Sequence, residues 1–194
     1  MGAIDHHSKN YTYADYLTWP DEERWEIIHG VPYSLTPAPN RKHQEISVEL
    51  SRQLANHLKG KSCKVYSAPF DVRLSEDFSD DALVETIVQP DISVFCDQKK
   101  LDEKVAKGAP DLVIEILSPS TTKKDLTTKI LLYQRFLVRE YWIIDPEKNI
   151  ISICILDQHG KYPEAILIDD KMAEISSVAI KDFTTSLAEI LDFN

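Results

Sequence analysis

Apolar residues along the chain recur with a period near two in some stretches and near four in others. The switches lay out short strands around two longer helices. Residues 11–19 (YTYADYLTW) predict a short helical turn capped by Thr12. Residues 25–35 (WEIIHGVPYSL) predict a hairpin turning at His29-Gly30. Pro32 assigns that hairpin to a sheet edge, because proline donates no ladder hydrogen bond. Asn40 caps a helix running to about Leu58, with Ile46, Leu50, Leu54 and Leu58 on one stripe. Residues 63–74 alternate as a strand broken near Pro69, residues 75–81 (SEDFSDD) form a solvated acidic turn, and residues 86–96 form the next strand. Residues 97–108 (DQKKLDEKVAKG) read as a polar connection or a short helix.

The second half alternates more clearly. Residues 111–117 (DLVIEIL) form a continuous apolar strand, the kind covered on both faces of a sheet. A helix over about 122–137 carries Leu126, Ile130, Tyr133 and Leu137 in its stripe. Strands follow at 140–145 (EYWIID) and 150–156, and a third at 161–168 pairs back through the DQHG turn at 157–160. The tail predicts a short strand near 178–180 and a short helix near 186–191. The order fits one α/β domain, residues 1–194 with a core at about 11–190, built on a mixed sheet.

Composition narrows the class. With 43% hydrophobic residues in 194, five glycines and ten prolines, the chain can fold on its own core. No apolar run reaches the length of a membrane span and the first ten residues carry no leader pattern, so the sequence reads as a soluble cytoplasmic protein. Cys63, Cys96 and Cys154 are widely spaced and odd in number; Cys96 and Cys154 lie in apolar runs and read as buried hydrophobes in a reducing compartment. The net charge of −10 argues against a general nucleic-acid binder, whose affinity comes from basic side chains meeting phosphates. Local basic clusters soften that objection: Arg41, Lys42, Lys59, Lys61, Lys64, Lys123, Lys124, Arg135 and Arg139 gather on the two long helices and their ends.

Three acids sit in apolar strand stretches: Glu26 in WEII, Asp91 in VQPDISVF and Glu115 in LVIEIL. Burying a lone carboxylate costs several kcal/mol, so each needs a cation, hydrogen bonds or access to water. Each alone also fits a strand-end acid facing solvent. Two such acids on neighbouring strands suit Mg²⁺ or Mn²⁺, which take one or two carboxylates and keep waters for phosphate oxygens. Lys129 is the candidate cation. With Leu126 at zero on a helical wheel, Lys129 falls at about −60°, beside Tyr133 at about −20° and Phe136 at about −80°. It borders the stripe and leans toward the strand end bearing Glu115, with Asp125 one turn earlier; a snorkelling surface lysine is the alternative. Asp111 reads as a solvated or capping acid, and His6 and His7 lie too near the terminus to form a metal site.

The combination of Glu26 and Gly30 in the hairpin, His43-Gln44, Gln89-Pro90-Asp91, the PDLVIEILSPS run at 110–120, Asp125, Lys129 and Tyr133, and YWIIDP at 141–146 resembles the Uma2 family. That family, also called DUF820, belongs to the PD-(D/E)XK nuclease superfamily. The resemblance covers roughly residues 11–190. It implies a restriction-endonuclease-like central mixed sheet flanked by helices, with an N-terminal hairpin and extra C-terminal strands. It further implies a metal-dependent nuclease using Mg²⁺ or Mn²⁺, with Asp91 and Glu115 as the acids, the Ile116 carbonyl as an extra metal contact and Glu26 as an auxiliary acid. The superfamily usually carries lysine two residues after the second acid; Leu117 stands there, so Lys129 is implied as its replacement and Lys124 as a weaker rival. His43 is read as packing rather than substrate contact. Nucleic acid, with DNA favoured, is the implied partner, and a C₂ homodimer is expected. A catalytically inactive nuclease fold that binds nucleic acid or a protein is the alternative, favoured by the net charge and the displaced lysine.

Overall fold

The computed structural model describes residues 9–20, 22–35, 38–78, 80–118 and 123–191, with side chains of the third helix from Leu126 onward. Two mixed sheets carry the fold. Helix α1 (Tyr13–Tyr16) leads into hairpin β1 (Trp25–Ile28) and β2 (Val31–Ser34). Next come α2 (Arg41–Leu58), β3 (Lys64–Ser67), β4 (Asp71–Arg73), β5 (Ile87–Val88), β6 (Ile92–Phe95), β7 (Val105–Lys107) and β8 (Leu112–Ile116). The remainder is α3 (Lys123–Arg135), β9 (Glu140–Asp145), β10 (Ile150–Ile155), β11 (Ile166–Ile168), β12 (Glu174–Ser176), β13 (Thr184–Ser186) and α4 (Leu187–Leu191). One of them runs β2-β1-β5-β4-β7 and the other β11-β10-β9-β8-β6-β3, while β12 and β13 pair as a separate two-stranded sheet. Among the described residues, only β4–β7 and β8–β9 pair in parallel.

Local chemistry explains the elements read from the pattern. Thr12 accepts from Asp15 N while Asp15 accepts from Thr12 N, a capping box on α1. His29 and Gly30 have φ of 51° and 77°, the conformation a two-residue hairpin turn requires. A Cβ on Gly30 would lie 2.8 Å from Asn10 Cβ, so this position is closed to other residues. Pro32 lies in β2, the outermost strand, as its missing donor demands. The Asn40 side chain accepts from His43 N, and Ile46, Leu50, Leu54 and Leu58 are buried against the six-stranded sheet. Strand β8 is covered on both sides: Leu112, Ile114 and Ile116 face α2, while Val113 joins Tyr133, Tyr141 and Ile143 on the α3 side.

Several expectations are corrected. The stretch 86–96 is two strands: β5 belongs to the five-stranded sheet and β6 to the six-stranded one, with Gln89-Pro90-Asp91 at the crossing. The break near Pro69 is the same event in reverse, since β3 and β4 lie in different sheets. The two crossings touch, through Ala68 N donating to Asp91 O at 3.0 Å. Residues 97–108 contain β7, a three-residue strand whose Val105 and Ala106 are buried and which pairs in parallel with β4. Leu137 lies past the end of α3 with φ of 59° and is 58% exposed, so it is no stripe residue. Residues 178–180 are the turn between β12 and β13 rather than a strand. The third strand of the C-terminal meander is shorter than expected, 166–168, and Thr122 lies outside the described residues.

The cysteines are corrected too. Cys63 and Cys96 form a disulfide, leaving Cys154 as the buried free thiol. Lys64 opposes Phe95 in the β3–β6 ladder, so the next pair outward is Cys63 and Cys96. Asp111 accepts from Cys96 N at 2.8 Å, which is the capping role read for it.

A fourth strand acid is structural. Glu140 is fully buried and accepts from Trp142 Nε1, Ser177 Oγ and Ala179 N, each at 2.7 Å, tying the C-terminal segment to β9. Glu140→Ala strands three donors and is expected to lower unfolding free energy by about 3 kcal/mol, read as a denaturant midpoint shift. A change under about 1 kcal/mol would mean water or repacking replaces those bonds.

Candidate active site

The site forms where the two sheets meet. Glu26 comes from β1 of one sheet, Glu115 from β8 of the other, and Asp91 from the crossing between β5 and β6. Helix α3 lays Lys129 across them: its Nζ donates to Glu26 Oε1 at 2.6 Å and to Glu115 Oε1 at 3.1 Å. The stripe-edge position of Lys129 therefore serves the carboxylates, and the snorkelling alternative is set aside. All four side chains line one cleft of about 460 Å³, with His43, Ile116 and Leu117. They are mostly enclosed: side-chain exposure is 5% for Glu26, 16% for Glu115 and 17% for Lys129.

Each acid is held by neutral groups as well. Gln89 N donates to Glu26 Oε1 at 2.8 Å, so the residue two before Asp91 fixes this carboxylate. The Tyr133 hydroxyl donates to Glu115 Oε1 at 2.7 Å from one turn beyond Lys129. Ile116 N donates to Asp91 Oδ2 at 2.8 Å, and His43 Nε2 lies 3.1 Å from the same oxygen. His43 was expected to pack; it is buried, and it also meets an acid of the site. Behind this layer Gln89 Nε2 donates to Asp71 at 2.8 Å, and Arg24 Nε donates to Gln89 Oε1 at 2.9 Å. Lys124 and Asp125 have no described side chains.

Electrostatics follow from crowding in a partly dry site. Burial pushes the Glu115 carboxyl up to about 7; Lys129 opposes the rise, while the Asp91 and Glu26 charges add to it. Burial works against the Lys129 ammonium, but Glu115 and Glu26 outweigh it and hold its pKa above the ordinary value. His43 is likewise opposed by burial and raised on balance by its bond to Asp91 and the charge of Glu115.

The donor set suits a hard divalent cation. Asp91 Oδ1 and Glu115 Oε2 accept no hydrogen bond among the described residues, while their partner oxygens are tied down. No group of three or more His, Cys, Asp and Glu side chains is arranged to hold a metal among the described residues. Two carboxylates and a backbone carbonyl, completed by water, is the arrangement Mg²⁺ accepts.

Strands from two mixed sheets that converge on acids bridged by a lysine define a restriction-endonuclease-like α/β protein. The same fold is seen in a solved structure described as a putative nuclease belonging to DUF820 from Anabaena variabilis ATCC 29413. That structure has a TM-score of 0.75 and 22% identity, over 93% of this chain and 97% of that one. Residues 13–188 match the Uma2 family, described as "Putative restriction endonuclease", and the chain belongs to that family. A curated relative, "Uncharacterized protein slr1290" of Synechocystis sp. (strain ATCC 27184 / PCC 6803 / Kazusa), is 31% identical over 121 residues. The match spans 61% of this chain and 60% of that protein's length.

Proposed function

We propose that the chain is a metal-dependent nuclease that hydrolyses phosphodiester bonds of nucleic acid, with DNA favoured. In this reading Asp91, Glu115 and the Ile116 carbonyl hold Mg²⁺ or Mn²⁺. The observation that carries it is the division of the carboxylate oxygens: one oxygen of each acid is fixed by protein donors, and the other is left for a ligand. When bound, the cation supplies a Lewis acid for the phosphate and lowers the pKa of a bound water. Lys129 keeps its proton between Glu26 and Glu115, so it orients the attacking water and offsets charge growing on the phosphate oxygens. Glu26 holds Lys129 in place, Tyr133 orients Glu115, and His43 with Ile116 N orients Asp91. End-labelled oligonucleotides incubated with Mg²⁺ or Mn²⁺ should yield fragments, and chelation should stop it. Absence of cleavage of DNA and RNA with either ion would contradict the reading.

The double pairing of Lys129 and the net charge of −10 favour a second reading, the same fold kept as a binding module without turnover. Retained nucleic-acid binding without metal-dependent cleavage is its signature.

Metal affinity should depend on pH. With the Glu115 carboxyl near 7, the site is mostly protonated at pH 6 and mostly ionised at pH 8. A cation must displace that proton, so binding by calorimetry should be about tenfold tighter at pH 8, with about one proton released at the lower pH. Equal affinity at both values would show that Glu115 is no ligand.

Association is inferred from the sheet edge. Strand β11 closes the six-stranded sheet with Ile166 52% and Leu167 69% exposed. A C₂ pair through this edge would cover both, and light scattering should give the mass of two chains. A monomer at micromolar concentration would contradict it.

A further inference from the structure

One wall of the cleft is a single face of the N-terminal hairpin. Glu26 stands directly opposite Tyr33 in the β1–β2 ladder, and Arg24 O accepts from Leu35 N at 2.9 Å. Side chains alternate along strands, so Arg24, Glu26 and Ile28 share a face with Tyr33 and Leu35. All five line the cleft. The opposite face, with Trp25 and Ile27, packs on the aromatic residues around α1. The inner face therefore has a polarity of its own: an acid of the site, a tyrosine at its side and an arginine beyond.

Tyr33 is the unexplained member. It is 44% exposed, and among the described residues it makes no hydrogen bond or ring contact. Arg24 is held by its Nε to Gln89, and no hydrogen bond or ion pair among the described residues engages its terminal amines. The other basic side chains lining the cleft among the described residues are already matched, Lys129 by Glu26 and Glu115 and His43 by Asp91. Among the described cleft residues that leaves the Arg24 amines as unmatched positive charge, and with a net charge of −10 such a lining gains little from the paired phosphate rows of a duplex. Base stacking on an aromatic ring needs no such charge and is open to an unpaired base alone.

We propose that the inner face of the hairpin is a single-strand subsite: Tyr33 stacks an unpaired nucleobase beside the scissile phosphate and Arg24 takes a flanking phosphate. The substrate class is then an unpaired strand or end, rather than intact duplex. This rests on the nuclease reading of the carboxylate cluster.

The test is fluorescence polarisation with a labelled mixed-sequence single strand and with the same sequence as a blunt duplex. Ca²⁺ replaces Mg²⁺ so that binding is read without turnover. The single strand should bind at least about tenfold more tightly than the duplex, Tyr33→Leu should weaken it about tenfold, and Tyr33→Phe should bind as wild type because the ring does the stacking. Arg24→Gln should weaken the single strand and flatten its salt dependence. Equal affinity of wild type for the two forms overturns the inference without any variant, as does unchanged single-strand binding by folded Tyr33→Leu. Cleavage with Mg²⁺ then separates the two claims. Blunt duplex cut as fast as single strand, indifferent to Tyr33→Leu, overturns the subsite and keeps the nuclease. Binding that depends on Tyr33 with no cleavage under Mg²⁺ or Mn²⁺ supports the subsite and overturns the nuclease.

Discussion

Alanine at Asp91 or at Glu115 is expected to abolish divalent-dependent cleavage, by about 10³-fold or more, while the protein still folds. The magnitude follows from the several kcal/mol that a Lewis acid contributes to phosphoryl chemistry, at about tenfold in rate per 1.4 kcal/mol. The two variants differ in their structural cost. Glu115→Ala leaves Lys129 paired with Glu26 at 2.6 Å but takes the acceptor from the Tyr133 hydroxyl. Asp91→Ala takes the acceptor from Ile116 N and from His43. Asp91→Asn keeps an oxygen for Ile116 N, so it should melt nearer to wild type while cleaving as poorly as Asp91→Ala. Calorimetry should show weakened Mn²⁺ binding in all three. Wild-type cleavage by both alanine variants would remove the acids from the chemistry.

Lys129→Met is expected to lower cleavage about 10²–10⁴-fold, the range for loss of a positioned proton-handling group. It should also cost stability, because Lys129 is the cation between two enclosed carboxylates and its removal leaves both without it. That cost depends on pH with a definite sign. Lys129 is what opposes the upward push of burial on Glu115, so without it Glu115 titrates still higher. A carboxyl whose folded pKa lies above its unfolded value keeps its contribution to stability at low pH and loses it as pH rises through the folded value. The deficit of Lys129→Met in melting temperature should therefore grow from pH 6 to pH 8. Metal affinity should not fall, since the amine is no ligand and its loss removes a positive charge from beside the ion. Lys124→Met should cleave as wild type. Activity lost by Lys124→Met and kept by Lys129→Met would move the catalytic amine one helical face away.

Much of this site was legible because its residues violate the pattern around them. Glu115 interrupts an apolar strand, and the wheel position of Lys129 aims it at that strand; the structure joins them. The helix over 41–58 was legible for the opposite reason, an unbroken four-residue periodicity, and the strand over 112–116 from the apolar run around its one acid. The features without a local signal depend on pairing between distant segments. The stretch 86–96 is apolar on both sides of Gln89-Pro90-Asp91, so nothing local marks the change of sheet that brings Asp91 to the junction. The three residues of β7 are too few to show a strand period, and they are a strand because β4 is beside them. The Cys63–Cys96 bond needs the β3–β6 register, and His43 meets Asp91 only once α2 is laid on the six-stranded sheet. Tyr133 sat in the apolar stripe with no sign that its hydroxyl reaches Glu115. Glu140 is the most deeply buried acid of these strands, yet it opens its strand and so breaks no pattern.

The central claim is that Asp91 and Glu115 together hold a divalent cation, and a crystal soaked in Mn²⁺ tests it most directly. The account predicts one anomalous peak in the cleft, in contact with Asp91 Oδ1, Glu115 Oε2 and the Ile116 carbonyl, with Lys129 still bonded to Glu26. A peak elsewhere, or no peak while Lys129 stays bonded to both Glu26 and Glu115, would contradict it.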